Sequence, residues 1–249
     1  MRSSDFAGER KVYLPPLEDE PDGAPWMRFR LTYEGQLRPN GRDPERAQPE
    51  PLAAHKQKIR KDFHRQLKQL WQTSKFLKEH AINNSEINVR PGQVASVLGV
   101  SGYNIVPRPT IPLVEYIASN FQSNGYRFVP LVCEDFSLLC SLDILFLRRD
   151  FPLGVISAGD LDNRVKTLID TLRMPKGANE LKGNETPMPD EDPFFCLLED
   201  DDLVTSLSVE SGMLLDPPVD GDGGDARVKL VISVELKPED VTLFNLGFA

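Results

Sequence analysis

The sequence predicts an α+β fold, a small mixed β-sheet packed by two main helices. Residues 27–33 and 227–237 alternate apolar and polar side chains, the period-2 mark of half-buried strands, and 138–147 and 203–210 are further strand-like runs. Residues 52–79 and 162–173 instead repeat apolar side chains at helical spacing. With 249 residues, 40% of them hydrophobic and 27% charged, the chain is long enough to bury a substantial core. No window of about 18 apolar residues occurs, and Met1–Arg10 lacks the apolar stretch of an export signal, so no membrane partner and a cytoplasmic location are expected.

Residues 1–25 carry Pro15-Pro16, Glu18-Asp19-Glu20 and Pro21-Asp22-Gly23 with little periodicity and read as a flexible extension, leaving 26–249 as one domain. Met27, Phe29, Leu31 and Tyr33 then alternate with Arg28, Arg30 and Thr32 as a first strand. The loop after it places Arg38 and Arg42 around an Asn-Gly turn. They are candidate phosphate contacts, although a solvated turn explains them as well.

Residues 52–80 are the most basic stretch, with eight Lys or Arg against Asp62 and Glu79. Ile59, Phe63, Leu67, Leu70 and Trp71 form the buried stripe, which leaves Lys56, Lys58, Lys61 and Arg65 for phosphates or simply for water. Residues 81–130, interrupted by Asn83-Asn84-Ser85, Pro91-Gly92 and Pro107-Arg108-Pro109, read as an insertion holding a short helix near Leu113–Phe121. From Arg127 the pattern is β-like, and 138–147 is long and apolar enough for a central strand. It ends in Arg148-Arg149, two further candidate DNA contacts. Residues 174–195, rich in Pro, Gly, Asn and acids, read as a second, exposed insertion. Asp220-Gly221-Asp222-Gly223 lacks EF-hand spacing and reads as a hairpin loop before the final strand. Cys133, Cys140 and Cys196 have no metal-ligand spacing and suit core thiols in a reducing compartment. His55, His64 and His80 take no ligand role.

The chemistry concentrates in Asp160-Leu161-Asp162-Asn163-Arg164-Val165-Lys166-Thr167-Leu168-Ile169-Asp170-Thr171-Leu172. Val165, Leu168, Ile169 and Leu172 make one apolar stripe, while Asp162, Lys166 and Asp170 step by four along a second row. Capping aspartates on a solvated face satisfy this local pattern too. A second acidic cluster, Glu199-Asp200-Asp201-Asp202, follows the apolar run Phe194–Leu198. Close like charges repel unless a cation neutralises them, and hard Mg²⁺ is held by a few carboxylates with waters and phosphates. An acidic loop is the simpler alternative.

Together, Asp160-Leu161-Asp162-Asn163, Lys166, Asp170 and the later Asp200-Asp201 with Val204 resemble the RusA-type Holliday-junction resolvases, a family of crossover junction endodeoxyribonucleases. The resemblance covers residues 159–210, and Gly159 stands where the family usually has a basic residue. It implies a RusA-like core with inserted segments that cuts branched DNA, above all Holliday junctions, with Mg²⁺ or in its place Mn²⁺. It implies Asp160, Asp162 and Asp201 as metal ligands and Lys166 as a catalytic group. It also implies a homodimer. Beside these ligands, Asn163 and Asp200 are expected to hold the carboxylates in place and Asp170 to pair with Lys166.

A net charge of -9 and a pI near 5.0 are unusual for a DNA binder, so phosphate affinity falls to local basic surface. The alternative expectation is a catalytically weak or inactive module binding branched DNA, or a protein partner through the insertions. A D-x-D sugar transferase is a third reading, but no doubly wound sheet accompanies the motif.

Overall fold

A computed structural model describes residues 27–39, 50–82, 86–89, 103–106, 110–149, 159–181, 184, 186–215, 227–241, 245 and 248. Of the sequence-based expectations, the extension 1–25, Arg42 and the Asp220–Gly223 loop lie outside these residues, as does the side chain of Asp160.

In chain order come β1 (Met27–Gln36), α1 (Glu50–Thr73), α2 (Lys75–Glu79), β2 (Ala81–Ile82), β3 (Glu86–Val89), β4 (Tyr103–Val106), β5 (Ile111–Pro112) and α3 (Leu113–Asn120). They are followed by β6 (Gln122–Ser123), β7 (Tyr126–Val132), β8 (Leu138–Arg148), α4 (Gly159–Leu172), β9 (Phe194–Leu198), β10 (Val204–Met213) and β11 (Arg227–Pro238). The fold is α+β. The four expected strands form one mixed sheet in the order β1-β11-β8-β10, with β11 antiparallel to β1 and β8 and β10 parallel to β8.

Register follows the period-2 pattern. Leu31, Ile232, Ile144 and Val209 stand in one row across the sheet, as do Arg30, Ser233, Asp143 and Ser208 in the neighbouring one. The first row faces the core and the second faces out, because a one-residue slip would bury the charges and expose Leu230, Ile232 and Val234.

A second sheet, β6-β7-β9, has β7 parallel to β9 and lies next along the chain on both sides: β7 leads into β8, and β9 into β10. The joints are the short turns Glu134–Phe136 and Asp201–Leu203. They are tied together: Glu199 N–H donates to Val132 O at 2.9 Å, and Glu134 N–H donates to Glu199 Oε2 at 3.1 Å. The acidic cluster thus lies at a corner between the two sheets.

Helix α1 lays Ile59, Phe63, Leu67 and Trp71 into the core, with Phe63 against Tyr33 and Trp71 against Phe195. Where one helix was expected over 52–79, the chain breaks at Ser74, whose hydroxyl accepts from Leu77 N–H and caps a separate α2. Residues 81–130, read from the sequence as an insertion, contribute Leu113, Ile117, Ala118 and Val129 to the same core. Residues 174–195 pack onto α1: Leu181 and Glu191 are buried, and Lys61 Nζ lies 2.8 Å from Glu191 Oε1. All three cysteines are buried free thiols, and burial pushes Cys140 and Cys196 up to about 12.

Buried His64 fastens α1 to β9. Its Nδ1 accepts from Phe195 N–H at 2.9 Å, its Nε2–H donates to Asp190 O at 3.2 Å, and its ring stacks on Phe194 at 4.5 Å. Both bonds together require the neutral ring, and burial lowers its pKa from the ordinary 6.5. A histidine with a depressed folded pKa contributes stability that is present above about pH 6.5 and lost as pH falls below it. His55, lowered to about 4 by burial and then by Arg38, Lys58 and Lys56, acts in the same direction. Thermal melts should therefore fall in midpoint from pH 7.5 to pH 5. The slope should be shallower in His64→Gln, and equal slopes would remove His64 from this role.

Candidate functional site

Helix α4 anchors the site because Leu168, Thr171 and Leu172 are buried on one side while its charged row faces α1 and solvent. At its first turns Asp162 Oδ2 lies 3.0 Å from Lys166 Nζ, and both side chains are more than 60% exposed. Asp160 stands two residues earlier on the same helix.

Contrary to the expected pairing, Asp170 does not pair with Lys166. Its Oδ2 accepts from Lys56 Nζ at 2.6 Å and its Oδ1 from Arg173 Nη2 at 3.3 Å. The reason is the second helix: α1 packs against α4 and delivers Lys56 to the row, where it is closer than Lys166.

Asp200 and Asp201 sit at the corner turn, beside the C-terminal end of α4. Met174 N–H donates to Leu198 O at 2.8 Å, which brings the end of β9 alongside. Lys176 Nζ lies 2.6 Å from Asp200 Oδ1 and 3.2 Å from Asp201 Oδ1, and Arg173 Nε lies 3.6 Å from Asp201 Oδ1. A hydrogen bond with the Asp200 carboxyl, then the Lys176 ammonium, holds Asp201 down to about 2. Asp201 thus stays ionised until the pH falls to about that value. The same contacts push Lys176 up.

These positions separate Asp162 from Asp201. Asp162 and Asp170 are eight residues apart on α4, a rise of roughly 12 Å, and Arg173 holds Asp170 and Asp201 together. Asp162 thus stands toward the start of α4 and Asp201 beside its C-terminal end. Among the described residues no group of three His, Cys, Asp or Glu has metal-holding geometry. What fits Mg²⁺ is the donor chemistry at the start of α4. There the exposed Asp162 carboxylate offers a hard oxygen, and one or two such ligands, completed by water and phosphate, are the usual protein complement of Mg²⁺.

The candidate DNA contacts divide. Arg38 and Lys58 are exposed, Arg38 donating to Gln36 Oε1 at 3.4 Å. Lys56 and Lys61 are committed to Asp170 and Glu191, and Arg65 pairs with Asp62. Arg148 is buried at the end of β8 and is not a surface cation, because position 148 falls on the inward side of the alternation. Arg149 is half-buried, and so is Asn163, whose carbonyl accepts from Thr167 Oγ1.

The sequence-based reading missed Arg173, Lys176, Arg60 and Glu180, which join α1, α4 and the corner turn. Arg60 Nη2 donates to Glu180 Oε2 at 2.6 Å and Arg173 Nη2 to Glu180 Oε1 at 3.0 Å. A basic residue closing a helix is ordinary, so nothing local in the sequence marks them. A depression of about 340 Å³ lies elsewhere, on the outer sheet face by Arg28, Arg30, Asp143 and Ser208.

No family model matches the chain, and no curated protein or solved structure matches it. Among the described residues no helix is long and apolar enough to cross a membrane.

Proposed function

We propose that this chain is an Mg²⁺-dependent, structure-selective endodeoxyribonuclease of RusA-like architecture that cuts branched DNA, above all four-way junctions. The observation that supports it most is the solvent-facing Asp162–Lys166 pair, 3.0 Å apart on the first turns of α4, with Asp160 two residues before it. An ion ligand and a phosphate-seeking cation there reach one scissile phosphate.

Asp160 and Asp162 are the residues that would hold the ion, and bound Mg²⁺ supplies Lewis acidity toward the phosphoryl oxygens and lowers the pKa of its water. Asp162, exposed and charged, needs no refolding to present its oxygens. Lys166 stabilises the negative charge that builds on the phosphate oxygens during in-line displacement. Lys58 and Arg38 add sequence-independent phosphate contacts, which makes affinity fall with salt. A twofold homodimer suits a substrate with two symmetric strands to cut.

A second reading is favoured by a specific observation. Asp201 stands apart from Asp162, and Lys56, Lys61 and Arg65 are paired with protein carboxylates. A module that binds branched DNA or a protein partner without hydrolysis fits that placement.

The deciding experiment incubates the protein with a synthetic four-way junction, a flap and a linear duplex, in Mg²⁺ or EDTA. Paired symmetric nicks in the junction, present only with Mg²⁺, are expected. Cutting of flap or duplex alone would replace the substrate, and junction binding without cutting would establish the second reading.

A further inference from the structure

One half of the outer face of the four-stranded sheet is filled and the other is hollow. Thr32, Val231, Leu145 and Glu210 make a row of larger side chains across β1, β11, β8 and β10. Two residues further along each strand the row is Arg30, Ser233, Asp143 and Ser208, and the next is Arg28, Glu235, Ser141 and Ser206. A bulge at Thr205 sets β10 so that Ser206 and Ser208 face this side. Four serines on three adjacent strands are too small to fill the surface, and they leave the depression of about 340 Å³. Strand pairing holds this floor in shape without a ligand. Its volume is at the lower end of ligand sites, which run from about 300 to 1,000 Å³.

The charges around the hollow do not neutralise one another. Exposed sheet charges ordinarily meet across adjacent strands, as Arg28 does with Glu235 at 2.6 Å and Glu34 with Lys229 at 3.7 Å. Arg30 and Asp143 instead have Ser233 between them, and among the described residues neither carries an ion pair or side-chain hydrogen bond. Ser141 adds a buried hydroxyl with no hydrogen-bond partner. An unpaired cation and an unpaired carboxylate thus face each other across a floor of hydroxyls.

We propose that this hollow binds a phosphorylated sugar, free or as part of a nucleotide. Arg30 presents a planar guanidinium fork, which phosphate takes bidentately, and Ser233 stands beside it as a hydroxyl donor. Asp143, two strand spacings or roughly 10 Å from Arg30 at the backbone, accepts from sugar hydroxyls, with Ser208 beside it. An apolar ligand finds no wall here: Leu142 and Val234 also line the hollow, but their side chains are buried in the core on the opposite face. A bare anion would be repelled by Asp143, so the charges fit a ligand with hydroxyls opposite its phosphate. The proposal holds whether or not the chain cuts DNA.

The test titrates the full chain by calorimetry with ribose 5-phosphate, ribose and inorganic phosphate. Ribose 5-phosphate is expected to bind saturably and more tightly than either of the other two. Arg30→Gln is expected to weaken it by about 10-fold or more, the worth of hydrogen bonds to a charged group. Asp143→Ala should abolish the preference for ribose 5-phosphate over inorganic phosphate. Both side chains are exposed, so the melting midpoint of each variant should stay at the wild-type value. Lys229→Gln removes a cation from the same face outside the hollow and should leave binding unchanged. Adenosine 5′-monophosphate then separates the two sources: tighter binding than ribose 5-phosphate assigns a nucleotide, and weaker binding a free sugar phosphate. No saturable binding of ribose 5-phosphate, binding indifferent to Arg30→Gln, or an equal loss from Lys229→Gln would overturn the site. Inorganic phosphate binding as tightly as ribose 5-phosphate would overturn the sugar.

Discussion

Asp162→Asn is expected to lower Mg²⁺-dependent cleavage of a four-way junction by about 100-fold or more, with an unchanged melting midpoint. The substitution keeps the size and hydrogen-bonding reach of the side chain but removes the charge that holds a divalent ion. The fold should not respond, since the side chain is 63% exposed and its pairing with Lys166 is an i, i+4 surface contact contributing about 0.3–0.5 kcal/mol. The comparison with Asp201→Asn then separates two placements. A similar loss there would mean that the corner turn leaves Lys176 and Arg173 and closes on the first turn of α4 when the ion binds. A small loss would leave Asp201 to the ion network in which the structure holds it. Cleavage by Asp162→Asn at the wild-type rate would remove this residue from the chemistry.

Arg60→Met is expected to destabilise the protein by about 1–3 kcal/mol, the cost of leaving hydrogen-bond acceptors without a buried donor. Arg60 is only 2% exposed. It donates to the Asp170 carbonyl at 2.8 Å, to the Glu180 carboxylate at 2.6 Å and to the Glu180 carbonyl at 3.3 Å. Methionine fills much of the volume yet leaves the Asp170 and Glu180 carbonyls without this donor, while the partly exposed Glu180 carboxylate keeps Arg173 Nη2 at 3.0 Å. For a chain of this size the melting midpoint should drop by roughly 5 °C. In Arg60→Met/Glu180→Met the loss should be smaller than the sum of the two single effects, because each single substitution already removes the Arg60–Glu180 contact. Additive losses would mean that the two groups do not act as a pair.

The strands and helices were legible because their signals are local. Val228, Leu230, Ile232, Val234 and Leu236 alternate with polar or half-buried neighbours, and the pleat turns that alternation into one buried face. Val165, Leu168 and Leu172 mark α4 for the same reason at helical period. The break at Ser74 was less legible, since the apolar stripe runs on to Leu77 and only the capping geometry ends α1. The candidate site was half legible. Asp162 and Lys166 meet because four residues make one helical turn, so their spacing alone determines the pair.

The partners of Asp170 and Asp201 come from chain segments far away in sequence, and no periodicity specifies them. Packing of α1 on α4 chose Lys56 for Asp170, and the parallel pairing of β9 with β7 carried Asp201 to the C-terminal end of α4. The sequence by itself determined the long strands of the four-stranded sheet and the helices α1 and α4, with the apolar face of each, because those follow from the repeat of the backbone. Which carboxylate meets which cation only the tertiary structure decided, because long-range packing sets it.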